Sequence, residues 1–440
     1  MQKPITKNNR KRFSGFLTIA AFCRSARRGD RPGKLLQMAA NEKIAIAFFI
    51  PDLRLGGAER QLVMLAANID RLLFSPIVIT LRPGGALAPE LEANGVPLYC
   101  LGRCSAPQVL RRLLLVLRAA QVRILYSFLL PTNVYALTAR MVMPRLKVVL
   151  GTRNSVANPA AWEGLRWQKL RVEALLTVIA ALRSLVAVEI ANSRAGTALA
   201  GRGHNGRVQT IPNGIDVIRW KPDPSARARL CREHAIDSRK RIVVTVANCS
   251  PYKDYPTLIH AAAQVTTRYT DVVFVAFGND STDTGHAARQ LVSDLGLESR
   301  FIFAGARSDL DGFLAGADVF CLASATEGFS NAICEAMACG LPPVVTDVGD
   351  SAFIVGAAGL TVPARNPSRL AEALCQLLDK AEEERRQLGA KARERIVRLF
   401  SVEKMVERYQ SVFQSLMSDA DESCAGVVND PSAPDDVPAR

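Results

Sequence analysis

The stretch Ser324 to Asp347, SATEGFSNAICEAMACGLPPVVTD, decides how the rest of the chain is read. Glu327 and Glu335 stand eight positions apart, and the turn between them, Gly328-Phe329-Ser330-Asn331, can open a helix. Ser330 or Asn331 is the expected N-cap, because a short polar side chain there accepts the otherwise unpaired amide hydrogens of the first turn. The helix is expected over Ala332 to Cys339, stopping at Gly340, which supplies a left-handed terminus ahead of Leu341-Pro342-Pro343. This puts Glu327 on a loop and Glu335 one turn inside the helix. Both then face a single ligand whose phosphate lies against free amides at the positive end of the helix dipole.

Outward from this stretch, apolar runs alternate with helical patterns. Upstream in the same half, strands are expected at Arg241 to Ala247, Asp271 to Phe277, Arg300 to Phe303 and Val319 to Leu322. Helices are expected between them at Tyr255 to Thr267, Gly285 to Leu295 and Leu310 to Ala315. Downstream come a strand at Val344 to Thr346 and a helix at Pro367 to Leu378. The first half has the same rhythm, with strands at Lys43 to Ile50, Ser75 to Leu81, Pro97 to Leu101, Val122 to Phe128 and Lys147 to Leu150. Helices there are expected at Gln61 to Ile69, Leu87 to Asn94, Gln108 to Ala120 and about Trp162 to Leu176. Such alternation implies parallel sheets covered on both faces, hence an α/β fold of two doubly wound domains joined by a turn-rich linker near residues 216–240. A ligand cleft between them, at the C-terminal ends of the strands, is the default for such sheets.

Composition narrows the class. The chain has 440 residues, 49% of them hydrophobic, enough for two full cores. Ten Cys are scattered without a C-x-x-C pair and four His are dispersed, which speaks for reduced thiols in a cytoplasm and against a zinc or disulfide framework. The net charge of +15 is uneven: residues 1–43 carry eleven Lys or Arg against two acids, residues 103–194 fourteen against three, and residues 419–440 one against six. Residues 1–42 are expected to be a basic, disordered leader and 419–440 an acidic, disordered tail. The basic residues are interleaved with Leu, Val and Ile and only 6% of the chain is aromatic, a composition that disfavours nucleic acid. It fits docking on an anionic membrane surface instead, with Arg111, Arg112 and Arg118 around Leu113 to Leu117, and Arg166, Lys169 and Arg171 among Leu165, Trp167 and Leu170. The alternative for these residues is a solvated face. No run reaches the roughly 18 apolar residues of a spanning helix.

Several pieces then fall in one order: Gly56-Gly57-Ala58-Glu59-Arg60, Ala191-Asn192-Ser193, Ile211-Pro212-Asn213-Gly214-Ile215-Asp216, Lys253 within Ser250-Pro251-Tyr252-Lys253-Asp254, and Glu327 through Glu335 with its flanks. On these the chain resembles the retaining GT-B glycosyltransferases of glycosyltransferase family 4, over roughly Lys43 to Leu416. The resemblance implies two Rossmann-like domains facing across a cleft: an acceptor-side domain over 43–215, a nucleotide-sugar domain over 241–395, and a C-terminal helix over 396–418 returning to the first domain. It implies that Lys253 meets the donor pyrophosphate, helped by the amides of Gly56 and Gly57 and of the Gly328, Phe329, Ser330 and Asn331 turn. Glu335 would bind the ribose and Glu327 the transferred sugar, so the two carboxylates are not a hydrolytic acid and base pair. The leaving phosphate would take the acceptor's proton, and neither a metal nor a cofactor is implied, the nucleotide sugar being a co-substrate.

Some positions depart from the pattern. Asn248 stands where a second cation is common, Asp254 where Gly is frequent, Gly278-Asn279-Asp280 replaces Gly-x-Gly, and Gly151-Thr152-Arg153-Asn154 occupies a region that often carries a His near the reacting carbon. Arg153 and Asn154 are therefore the candidates there. Asp309-Leu310-Asp311 mimics a metal motif and is expected to be a helix cap; Asp216 is expected to be structural. The resulting expectation is a transferase moving a sugar from a UDP-sugar to a glycan or lipid-linked acceptor, in cell-surface polysaccharide or lipopolysaccharide assembly, peripheral on the cytoplasmic face of the membrane. The alternatives are a nucleotide-sugar epimerase on the same scaffold and a non-catalytic nucleotide-sugar-binding protein.

Overall fold

The computed structural model describes residues 43–54, 56–153, 166–200 and 208–418. Asn154 and the termini lie outside them, as do the side chains of Arg166, Lys169 and Arg171. The described chain forms two compact units, which meet in sequence at Gly151/Thr152 and Ala187/Val188.

Two parallel sheets carry the fold. The first holds β1 (Ile44–Ile50), β2 (Phe74–Thr80), β3 (Leu98–Cys100), β4 (Ile124–Phe128), β5 (Lys147–Thr152), β6 (Val186–Ala191) and β7 (Val208–Thr210), ordered β3-β2-β1-β4-β5-β6-β7. The second holds β8 (Arg241–Val246), β9 (Val272–Phe277), β10 (Phe301–Gly305), β11 (Val319–Leu322), β12 (Pro343–Thr346) and β13 (Leu360–Val362), ordered β10-β9-β8-β11-β12-β13. Both are the doubly wound arrangement the sequence predicts, and in each the strand order reverses beside its first strand, β1 against β4 and β8 against β11. Loops leaving the C-terminal ends of such a strand pair diverge to opposite faces and leave a crevice. The strands are apolar on both faces, as covered parallel strands must be: Ile46 to Ile50 and Val272 to Phe277 are buried throughout.

The sequence reading missed β6, β7, β13 and the helix Leu130–Val142. β6 was hidden because the helix Arg166–Ala181, a short turn at Arg183–Leu185 and the strand follow one another without Gly or Pro, so they read as one apolar run. β7 and β13 are three residues each, too short to show a period. The single C-terminal helix expected over 396–418 is two, Glu382–Phe400 and Val402–Ser415, divided where Ser401 turns extended and its side chain caps the second through Lys404 N. Segment 216–240 contains a helix, Ala226–Glu233.

The basic helix expected at Gln108 to Ala120 forms as Ala106–Ala119, but its apolar run serves the core: Leu113, Val116 and Leu117 are buried. Arg112 is turned back to donate to the Leu101 carbonyl. Arg111, Leu115 and Arg118 remain exposed. Among the described residues no helix is long and apolar enough to cross a membrane.

Candidate functional site

The site grows from the two loops at the reversal point of the second sheet. After β8, Pro251–Lys253 makes a 3-10 turn, and Asp254 follows in the left-handed region at φ 46°. That conformation explains why Gly is frequent here. Asp tolerates it and adds a function, capping the helix Tyr255–Arg268 through Thr257 N and Thr257 Oγ1. After β11 the chain enters Ser324 to Ser330 and then the helix Asn331–Ala338. Because β8 and β11 are neighbours, these loops meet: Ala325 N donates to the Tyr252 carbonyl at 2.8 Å. Lys253 Nζ and Glu327 Oε1 form an ion pair, with side chains only 20% and 12% exposed. The same oxygen accepts from Ser324 Oγ at 2.7 Å.

The helix begins one residue earlier than expected. Ser330 occupies the N-cap but makes no side-chain cap, and Asn331 is already helical; Gly340 ends the segment at φ 84°, as predicted. The first-turn amides are thus left without a side-chain acceptor, the electrostatic situation that favours an anion. Glu335 lies one turn inside, half-buried. Its charge is among those that, after the Asp311 hydrogen bond, raise the pKa of Arg219. Gly328 is half-exposed, whereas Phe329 is buried, its ring 5.6 Å from that of Phe400. The Phe329 side chain therefore belongs to the core, and only its backbone faces the loop's surroundings.

A third loop, absent from the sequence reading, braces this one. After β12, Asp350 N donates to the Gly328 carbonyl at 3.0 Å. Gly349 at φ 57° packs so closely that an added Cβ would stand 2.3 Å from the Glu327 carbonyl oxygen. The Asp350 carboxylate is 2% exposed and accepts the amides of Arg194, at 2.9 and 3.1 Å, and Ala195, at 3.4 Å, at the start of the helix Arg194–Ala200. Val-Gly-Asp after a short strand was the available signal, but it reads as an ordinary turn. Burial pushes the Asp350 carboxyl up and the two amides offset this only in part. A raised acid binds its proton more readily folded than unfolded, so the stability it contributes is present below the ordinary carboxyl range and lost as pH rises through the folded value. The melting temperature of Asp350→Asn minus that of the wild type is therefore expected to be more positive at pH 7 than at pH 3.5. A difference that does not change with pH would contradict this.

Arg153, the described one of the two candidates near the reacting carbon, donates from Nη1 to Asn213 Oδ1 at 2.6 Å and from Nη2 to the Tyr409 hydroxyl at 2.9 Å. Asn213 Nδ2 in turn donates to Asn331 Oδ1 at 2.8 Å. Asn248 accepts Asn279 N at 2.8 Å and so ties the ends of β8 and β9 together in place of a cation. Gly278, at φ 149° with an added Cβ 2.0 Å from the Ala247 carbonyl oxygen, has room for no side chain. The Asp309-Leu310-Asp311 cap is not formed. The N-cap is Leu310, with no side-chain bond, while Asp309 pairs with Arg307 and Asp311 with Arg219. Asp216 accepts Ile218 N and Arg219 N in a turn, a structural role as expected.

In the first unit, Gly56 is the N-cap and Gly57 the first residue of the helix Gly57–Asn68 after β1. The Glu59 carboxylate folds over Gly56, where an added Cβ would stand 2.1 Å from Oε2.

Residues 55–219 match the family model described as Glycosyltransferase Family 4, and residues 240–380 match the model described as Glycosyl transferases group 1. The chain thus carries one glycosyltransferase domain of each description. It is 29% identical over 218 residues to the N-acetyl-alpha-D-glucosaminyl L-malate synthase of Bacillus anthracis, covering 49% of this chain and 55% of that one. It is 30% identical over 182 residues to the GDP-mannose-dependent alpha-(1-6)-phosphatidylinositol monomannoside mannosyltransferase of Mycobacterium tuberculosis, covering 39% and 46%. The chain therefore spans about half the length of these curated relatives. In three dimensions it is similar to Anabaena HepE in complex with UDP, with a TM-score of 0.72, 22% identity, and coverage of 84% of this chain and 100% of that one, a likeness of GT-B fold.

Proposed function

We propose that the protein is a retaining glycosyltransferase that moves a hexose or related sugar from a nucleotide donor, a UDP-sugar, to a glycan or lipid-linked acceptor in cell-surface polysaccharide or lipopolysaccharide assembly. The observation that carries this reading is the Lys253–Glu327–Ser324 cluster standing at the loop that opens an uncapped helix, with Glu335 one turn further on. Departure of a nucleoside diphosphate from an anomeric carbon builds negative charge on its phosphates, and a fixed cation and oriented amides stabilise that charge without reorganisation. An ammonium has three donors. Glu327 takes one and fixes the direction of Lys253, leaving two for phosphate oxygens. Glu327 keeps a second oxygen for a sugar hydroxyl, and Glu335 faces the ribose. No metal or cofactor enters this reading. The named relatives include a GDP-mannose-dependent enzyme and the fold neighbour holds UDP, so both nucleotides belong in the test.

The experiment is release of UDP or GDP from a panel of nucleotide sugars with membrane lipid extract as acceptor. Release that requires the extract is expected, and Glu335→Ala should weaken donor binding about tenfold, the worth of a charged hydrogen bond. Isomerised donor without acceptor would support an epimerase instead, and binding without any turnover a non-catalytic protein.

Docking on an anionic membrane surface at the cytoplasmic face is part of the proposal and rests on the exposed Arg111, Leu115 and Arg118. Each basic residue near such a surface is worth about 1 kcal/mol. Reversing Arg111 and Arg118 to Glu should therefore abolish co-sedimentation with phosphatidylglycerol vesicles at low salt. Undiminished pelleting of the double variant would remove this face from the proposal.

A further inference from the structure

We infer that Arg153 is a positioning residue that fixes which end of the Asn331 side chain faces the donor diphosphate. This rests on the reading of the Asn331–Ala338 helix start as the diphosphate site. The argument is one of hydrogen-bond polarity. A carboxamide can present either its oxygen or its nitrogen, whereas a guanidinium can only donate. Arg153 Nη1 donates to Asn213 Oδ1 at 2.6 Å, so the opposite end of that amide, Nδ2, must donate in its turn. It donates to Asn331 Oδ1 at 2.8 Å. Asn331 is left with its Nδ2 group as the outward end, and among the described residues no acceptor takes it.

The chain is anchored at both ends. The Arg153 guanidinium is pinned through Nη2 by the hydroxyl of Tyr409, a fully buried residue of the helix Val402–Ser415. Asn213 is itself 5% exposed, and its neighbour Gly214 is pressed against Val402 and Met405, where an added Cβ would stand 3.0 Å away. Asn331 is the first residue of the helix, beside first-turn amides that lack a side-chain cap. A donor pointing the same way as those amides adds to an anion site; a carbonyl oxygen there would oppose it. The permanent charge of Arg153 is thereby delivered as an oriented neutral donor two side chains away.

The test is a titration of the full chain with UDP and with GDP, alongside melting temperatures. Asn331→Asp keeps an oxygen for Asn213 Nδ2, so the fold and melting temperature should be retained, while its second oxygen faces the phosphates. Binding should fall tenfold or more, since a donor worth about 1.5 kcal/mol to a charged group becomes a repulsion. Arg153→Met should weaken binding about threefold to tenfold, Arg153→Lys, also donor-only, should restore part of it, and Arg153→Met in an Asn331→Ala background should cost nothing further. If the wild type binds neither nucleotide, the functional reading beneath this inference falls. If the wild type binds but Asn331→Asp binds as well, or if the Arg153→Met loss persists undiminished in the Asn331→Ala background, the inference itself is overturned.

Discussion

Replacing Lys253 by Met is expected to lower turnover by about two to three orders of magnitude, the usual effect of removing one preorganised charge-stabilising donor. The side chain is four-fifths buried and, among the described residues, its ammonium is paired with Glu327, so substitution has a second consequence. Among the described residues it leaves the Glu327 carboxylate with Ser324 Oγ in a largely dry setting, and removing one partner of a buried pair destabilises because the other charge stays behind. The two effects separate in a cycle with Glu327→Gln. The double variant should recover the melting temperature lost in Lys253→Met but none of the turnover. Recovery of both would mean that Lys253 acts only as a counter-ion and never meets the donor.

Gly349→Ala is expected to be the most damaging small change near the site. The left-handed φ of 57° is costly for any residue with a Cβ, and the new atom would stand 2.3 Å from the Glu327 carbonyl oxygen and 2.7 Å from that of Gly328. Both are backbone, so neither can step aside as a flexible side chain would. The Glu327–Gly328 segment has to move, at a cost of about 2–4 kcal/mol. Because that segment carries the carboxylate proposed for the sugar, the KM for donor should rise together with the fall in denaturation midpoint. A variant with wild-type midpoint and KM would show that the three loops are not braced as described. Gly328→Ala is the control for the denaturation midpoint alone, since an added Cβ there meets nothing closer than Ser193 Oγ at 3.5 Å.

Much of the fold was legible because covered parallel strands leave a plain signature. Ile44–Ile50 and Val272–Phe277 are unbroken apolar runs, and the helix between Ser330 and Gly340 is bounded by residues whose backbone preferences differ sharply from the interior. What stayed hidden had no local signal. β7 and β13 are held by their neighbours' hydrogen bonds and not by three residues of propensity. Phe329 reads as part of a ligand turn, yet its ring is drawn into the core by Phe400, seventy-one positions away in sequence. Leu113 to Leu117 reads as a membrane-facing run, yet helical geometry turns most of it inward. Arg153 reads as a candidate beside a reacting carbon, and nothing near it in sequence points to its hydrogen bonds with Asn213 and Tyr409.

The chain by itself determined that Glu327 and Glu335 flank a helix start and that Lys253 follows a strand, because strand ends, turns and caps are set by neighbours in sequence. The tertiary structure alone decided that Lys253 meets Glu327, that Gly349 and Asp350 brace the loop, and that Asn331 presents a nitrogen and not an oxygen. Each of those depends on strand order, close backbone approach, or the direction of a hydrogen-bond chain linking Tyr409, Arg153, Asn213 and Asn331, residues up to 256 positions apart. No period or spacing along the sequence encodes such a direction.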